Sequence, residues 1–238
     1  MKNLLLIATL FVGKILLAQA PNYDDLKILY ADEDFEKLVS KCERYMGKDK
    51  TKKDPTPYMW GAKGLYKISV SGNDDPEYKN AFKEAMGVMS KSIKYDTDGA
   101  CRAEHADFYN EFLLSSVELI VNEAGTGDFK KAYSWNVKYS KITDQMGGTK
   151  YMEAACKFMN SDKGGANSAW KEAEAALEGV ESINDWMDAD KKMLMYGVIY
   201  TADCHLNSRQ NDKAKAVMDR FAPWFSDYEV FKSKQKEI

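Results

Sequence analysis

Residue types that often perform chemistry are sparse in this chain of 238 residues. Its two histidines, His105 and His205, can act as acid–base groups or as metal ligands. His105 lies near Glu104 and Asp107, and His205 closely follows Asp203. A metal site needs several such ligands to converge, and short-range neighbours of this kind are more typical of part-buried histidines bonded to adjacent side chains. We therefore expect neither a metal site nor a cofactor.

Motifs of catalysis are also missing from the sequence. There is no Gly-x-Ser-x-Gly nucleophile elbow, no glycine-rich phosphate loop and no His-Glu-x-x-His pair. The acidic runs 32–34 and 185–190 precede predicted helices, where carboxylates cap the N-terminus and interact favourably with the helix dipole. Neither run has the ligand spacing of a calcium loop. We predict that the protein is not an enzyme and has no catalytic residues.

The four cysteines, Cys42, Cys101, Cys156 and Cys204, are far apart in the sequence. This spacing differs from that of a small disulfide-rich domain, and no Cys-x-x-Cys pair indicates redox or zinc chemistry. Two interpretations stay open: four buried free thiols, or a bridge between Cys156 and Cys204 on the first helices of successive hairpins.

The first 20 residues have the pattern of a secretion signal. Lys2 is followed by a nearly continuous apolar run and by the small residues Ala18 and Ala20, after either of which cleavage is expected. The remainder has 32 basic and 37 acidic residues, a net charge of −5. An acidic chain is a poor partner for nucleic acid, which needs a basic face. No later segment resembles a membrane span, so we expect a periplasmic or secreted protein.

Hydrophobic periodicity predicts helices throughout the remaining chain. In the segment 34–46, Phe35, Leu38, Val39, Cys42 and Met46 form one stripe of a 3.6-residue helix. We predict loops at 47–57 and 163–165 and five hairpins, followed by a polar, frayed tail at 227–238. The hairpins pair the segments 23–30 with 34–46, 58–70 with 76–95, 103–123 with 129–142, 150–159 with 168–181 and 189–206 with 212–225.

A short motif recurs along these hairpins, in which an aromatic residue precedes a small or aliphatic residue by three positions. The last members are separated by 43, 51, 41 and 43 residues, counting a fifth copy without the aromatic. Such a period is typical of stacked helical hairpins. The copies are Phe35 with Leu38, Tyr78 with Ala81, Phe129 with Ala132, Trp170 with Ala173 and Lys213 with Ala216.

Two hairpins resemble the tetratricopeptide repeat. Tyr58, Trp60, Gly64 and Tyr66 are similar to its first helix, and the segment 127–132 is similar to its Gly-Asp-aromatic turn. The period here is longer and less regular than in that family. The resemblance implies an all-α fold over residues 21–226, a right-handed α-solenoid of about five antiparallel hairpins. It also implies a concave peptide groove lined by the first helices.

These features together favour an exported, non-enzymatic scaffold that binds a protein or peptide in the cell envelope. The helix at 193–202 is apolar on most faces, so it is either covered by residues 212–231 or exposed to a partner. We name as partner-binding candidates Tyr58, Trp60, Tyr109, Tyr196 and Tyr200. The alternative function is a small-ligand carrier with an aromatic pocket lined by Trp60, Tyr66, Tyr109 or Trp135.

Overall fold

The computed structural model describes residues 22–72 and 75–238, and the signal sequence expected at 1–20 lies outside them. The described residues form twelve α-helices and one turn of 3-10 helix at Pro76–Tyr78, with no strand among them, which confirms the all-helical prediction. The helices are α1 (Asp24–Ala31), α2 (Phe35–Met46), α3 (Pro55–Val70), α4 (Ala81–Tyr95), α5 (Ala100–Glu104), α6 (Ala106–Gly125), α7 (Phe129–Tyr139), α8 (Met146–Met159), α9 (Lys163–Ala176), α10 (Asp188–Asn207), α11 (Asn211–Phe225) and α12 (Glu229–Glu237).

Aspartate caps begin several of these helices. Each cap satisfies a backbone N–H of the first turn that has no partner inside the helix. In the recurring turn, Gly127 has the left-handed φ of +86°, and the Asp128 carboxylate then accepts from the Lys131 N–H at 3.0 Å. Asp34 before α2 and Asp162 before α9 also accept from the N–H three residues on, and Asp54 before α3 accepts from the N–H two residues on.

Two helices begin where the sequence predicted loops. Helix α3 starts at Pro55 and includes Pro57, because both prolines lie in a first turn whose N–H groups need no helical partner. Helix α9 starts at Lys163, and its Gly165 N–H donates to the capping carboxylate of Asp162 at 2.8 Å. Local residue preference was therefore a poor guide to these two helix starts.

Further boundaries also differ from the prediction, among them the start of α4, at Ala81 instead of residue 76, and the end of α9, at Ala176 instead of residue 181. The helix expected at 103–123 is interrupted at His105, which separates α5 from α6. The C-terminal segment, expected to be frayed, contains α12, whose Phe231 is fully buried and packs its ring 5.7 Å from that of Phe225. The buried ring of Phe231 therefore holds the end of the chain on the protein.

Consecutive helices pack in pairs: α1 with α2, α3 with α4, α6 with α7, α8 with α9 and α10 with α11. The first helices α3 and α6 run in the same direction, as do α8 and α10, because contacting residue numbers rise together. Lys63 of α3 contacts His105, which precedes α6. Tyr66 of α3 contacts Ser115, which lies within α6. Ala155 of α8 contacts Cys204 of α10. Earlier residues of α8 likewise contact earlier residues of α10.

The interior divides into two large clusters of apolar side chains. The first, called here the N-terminal cluster, centres on α6, whose Phe112, Val117 and Ile120 are fully buried. The second, the C-terminal cluster, centres on α10. Phe221, Phe225 and Phe231 cover α10 there, which matches the sequence interpretation in which the end of the chain folds over this helix. No helix in the described ranges is long and apolar enough to cross a membrane.

Candidate functional site

Three of the predicted partner-binding aromatics belong to the protein interior. Tyr58, Trp60 and Tyr109 are 5%, 7% and 3% exposed. The Tyr58 hydroxyl donates to the Lys52 carbonyl at 2.8 Å, and the Tyr109 hydroxyl donates to the Ile142 carbonyl. The two hydroxyl groups therefore secure loops next to the helices, and all three side chains are almost wholly covered within the chain.

The other two candidates join α10 to α6. Tyr196 packs against both apolar clusters. The Tyr200 hydroxyl donates to the Val121 carbonyl at 3.3 Å, and its ring meets Phe129 edge-on at 6.0 Å between centroids. Both side chains are half-buried, so the apolar character of α10 is largely used in packing within the chain.

The four aromatics suggested for a ligand carrier do not surround one pocket. Trp60, Tyr66 and Tyr109 are buried in packed surroundings; Tyr66, for example, lies edge-on to Phe112 at 5.6 Å. Trp135 is half-buried and lines a groove at the surface. The structure thus separates Trp135 from the other three.

All four cysteines are buried with free thiols, and no bridge joins Cys156 to Cys204 in this structure. The Cys204 thiol donates to the Ala155 carbonyl at 3.8 Å. Burial raises the pKa of the Cys156 and Cys204 thiols to about 12 each. Thiols with such a pKa are weak nucleophiles at neutral pH, so they contribute to packing.

His105 ties α6 to α3 through Lys63. The Lys63 ammonium lies 3.1 Å from His105 Nδ1 and is enclosed by rings at 4.5 to 5.4 Å, those of Trp60, Tyr30 and Phe108. Burial, and then the Lys63 charge, lower the pKa of His105 to about 4. His105 is therefore neutral at physiological pH and accepts a hydrogen bond from the lysine, whose charge the aromatic faces also stabilise.

His205 lies at a different place, stacked on Trp170 with ring centroids 5.2 Å apart. The Trp170 Nε1–H donates to the Thr201 hydroxyl at 2.9 Å. Burial lowers the pKa of His205, which favours the neutral ring. The two histidines therefore have separate packing roles, and no group of three metal-ligating side chains converges within the part of the chain that the structure describes.

Asp190 has a role that the sequence did not reveal. It lies in the first turn of α10, as expected of an acidic residue near a helix start, but it is only 5% exposed. Its Oδ1 accepts from the Tyr139 hydroxyl at 2.7 Å and from the Thr143 hydroxyl at 2.6 Å. Burial raises the pKa of Asp190. The carboxylate thus fastens the end of α7 to the start of α10.

A concave surface beside this packed interior runs along α4 and is called here the α4–α7 groove. It consists of two adjoining depressions of about 500 Å³ each, which share Asn80 and Lys83. The first depression is also lined by Lys79 and Lys83, but it has an apolar portion contributed by α3, the 3-10 turn, α4, α6 and α7: Ile68, Val70, Tyr78, Phe82, Leu119 and Trp135. Val70 is 57% exposed there, a high value for a valine.

The second depression of the groove is basic. Its charged residues are four lysines, Lys83, Lys91, Lys138 and Lys141, and one acid, Glu84. Its floor includes Gly87, at which an added Cβ would meet no atom within 4 Å. The sequence analysis missed this surface, because each lysine by itself resembles the ordinary polar face of a helix. The pattern emerges only when α4 and α7 are placed side by side.

The lysines of the groove also lack nearby acidic partners. Across residues 22–72 and 75–238, no carboxylate oxygen lies within 4.0 Å of the Nζ atoms of these four side chains, whereas many other lysines form such pairs. Burial, followed by the charges of Lys83 and Lys141, lowers the pKa of Lys138. The groove therefore concentrates positive charge on an otherwise acidic protein.

Comparisons with protein-family models, with curated proteins and with solved structures found no match to this chain.

Proposed function

We propose that this chain is an exported, non-enzymatic helical-repeat scaffold that binds a protein or peptide partner in the cell envelope. The proposal includes a solenoid of five hairpins, similar to tetratricopeptide repeats. Consecutive helix pairing and the common direction of α3 with α6, and of α8 with α10, support this arrangement. Stacked pairs of this kind commonly present extended surfaces for binding.

We place the partner in the α4–α7 groove. The carrying observation is a continuous depression in which exposed faces of apolar side chains such as Val70 and Trp135 adjoin four lysines. Adaptable and aromatic side chains with a polar rim are typical of protein-binding surfaces. The location differs from the family expectation, because α4 and α7 are the second helices of their hairpins.

The same observations favour a protein scaffold over a small-ligand carrier. Three of the aromatics proposed for a carrier, Trp60, Tyr66 and Tyr109, make close contacts within the interior. The groove is elongated and open, and a small ligand would leave much of it uncovered. A chain segment can contact its whole length.

Site-specific photo-crosslinking in the native envelope tests this proposal. A benzoylphenylalanine placed at Gly87 would project into the groove, because a side chain there has free space. The matched control places it at Lys171, an exposed position on α9. We expect one protein adduct from position 87 that is absent from position 171. If both positions gave the same adduct in the same yield, or if position 87 gave none, binding in the groove would be refuted.

Export is tested separately by N-terminal sequencing of the protein recovered from the envelope fraction. Cleavage after Ala18 or Ala20 gives an N-terminus at Gln19 or Pro21. Recovery of the chain from the cytoplasm with residues 1–20 intact would show that it is not exported.

A further inference from the structure

We infer that the α4–α7 groove selects an acidic peptide segment that also carries an apolar anchor residue. The inference rests on the proposed function and adds the chemistry of the partner. It stands on two independent properties of the groove: the placement of its lysines and the apolar surface that adjoins them.

The first property is charge without internal neutralisation. Lys83, Lys91, Lys138 and Lys141 converge on one depression that contains a single acidic residue, Glu84. Other lysines of the described ranges, such as Lys150 and Lys157, have carboxylate partners within 4.0 Å. Here the described residues supply none within ion-pair distance of the four Nζ atoms. The positive potential is therefore available to an external anion.

The second property is the length over which apolar and basic side chains follow one another along α4. Phe82 marks the apolar half and Lys91 the far edge of the basic half, nine residues later on α4. At 1.5 Å per helical residue they are roughly 14 Å apart along the axis. An extended peptide covers this distance in about four residues at roughly 3.3 Å each. An anchor side chain and a carboxylate about four residues away can then occupy both halves together.

The apolar half also distinguishes peptide from other polyanions. Trp135 and Phe82 meet edge-on at 6.0 Å, and their remaining surface, with that of Leu119, lines the depression. A phosphate backbone or a lipid headgroup would use only the lysines. A peptide with an aromatic or aliphatic anchor buries both surfaces, so the groove favours it over oligonucleotide and membrane.

The test uses fluorescence polarisation with the mature chain and three labelled dodecapeptides. In the first, glutamate alternates with leucine and phenylalanine; in the others, glutamine or lysine replaces every glutamate. We expect the glutamate peptide to bind at least about tenfold more tightly than the glutamine peptide, with no binding of the lysine peptide. We also expect the affinity to fall with added salt.

The variant Lys83→Glu/Lys138→Glu should weaken binding of the glutamate peptide by at least about tenfold. The control Lys171→Glu/Lys236→Glu changes net charge equally at exposed positions outside the groove and should retain affinity. Equal binding of the glutamate and glutamine peptides would overturn the acidic preference while leaving peptide binding intact. Equally tight, lysine-dependent binding of a DNA oligonucleotide or of phosphatidylglycerol vesicles would also overturn it. If none of the three peptides bound and position 87 gave no adduct, the proposed function itself would be refuted.

Discussion

Replacing Gly148 with alanine should destabilise the protein, although alanine is the better helix former. A Cβ placed on Gly148 of α8 would lie 2.6 Å from the backbone nitrogen and 2.9 Å from the Cα atom of Leu194 in α10. A Cβ on Gly197 would similarly lie 2.8 Å from the Cβ of Tyr151. These distances are too short for any real contact, so the two glycines allow the helices to touch through their backbones.

The size of the effect follows from two opposing contributions. Alanine gains at most about 1 kcal/mol over glycine in a helix. Overpacking costs about 1–3 kcal/mol, and the upper end applies here because the obstructing atoms are backbone and cannot move by a rotamer change. The expected net loss in the free energy of unfolding is therefore about 2 kcal/mol. For a chain of this size, that corresponds to a fall in Tm of roughly 4–8 °C.

Urea unfolding followed by far-UV circular dichroism measures this change, with Gly87→Ala as the matched control. Gly87 is also helical, but its added methyl meets nothing within 4 Å, so that variant should gain up to about 1 kcal/mol. If Gly148→Ala proved as stable as the unchanged protein, α8 and α10 could not be in the backbone contact described.

Three further predictions concern titration, thiols and capping. The free energy of unfolding should fall as pH decreases from about 6.5 towards 4, because folding lowers the pKa of His105 to about 4 and unfolding takes up a proton. This group contributes at most about 1.4 kcal/mol per pH unit to the free energy of unfolding. Urea titrations of the His105→Gln variant at several pH values should lack that contribution. If the variant and the unchanged protein had parallel profiles of stability against pH, the prediction would be contradicted. A thiol reagent should modify none of the four buried cysteines in the native protein and all four after denaturation without reductant, whereas two modified thiols would indicate a bridge. Asp128→Ala should lower the free energy of unfolding by about 1 kcal/mol, because it removes the cap on the Lys131 N–H. Asp128→Asn should lower it much less. Equal losses of stability for the two variants in chemical denaturation would argue against capping.

The second helices of the hairpins were the most predictable parts of the fold. In α2, the stripe expected from periodicity includes Leu38 and Cys42, both fully buried, and Asp34 caps its start. Here the local signals and the tertiary environment agree, since a one-sided helix needs only one covered face. Helix α2 could therefore be placed from the sequence alone, whereas α9, a second helix that is also capped by an aspartate, was misplaced.

Glycine was a misleading signal where it is needed for a close contact between two helices and not for a turn. Gly148 precedes the predicted start of its helix at residue 150, yet α8 begins at Met146 and includes it. In isolation a glycine pair suggests a break, because glycine is a poor helix former. The reason for glycine here is the backbone of α10, some 46 residues later in the chain, and no local pattern contains that information.

The candidate site shows the same limit more strongly. Apolar periodicity identified Tyr58, Trp60 and Tyr109 as large aromatics on helices, but it could not indicate that neighbouring elements cover them. The groove lysines come from α4 and from the region around the end of α7, about fifty residues apart. Their lack of acidic partners is a property of the assembled surface, so it could be seen only after the helices were placed together.

The contact between α8 and α10 also determines how the two apolar clusters depend on each other. Neighbouring residues of these helices point to opposite sides: Met152 and Met193 belong to the N-terminal cluster, and Tyr151 and Leu194 to the C-terminal cluster. The helix pair is therefore a wall shared by both. In stacked-hairpin proteins, cooperativity depends on such interfaces between neighbouring units. A methyl group at Gly148 that pushes the wall apart should weaken both clusters together, whereas the α4–α7 groove, which is built on the N-terminal cluster alone, should keep its shape for as long as that cluster stays folded.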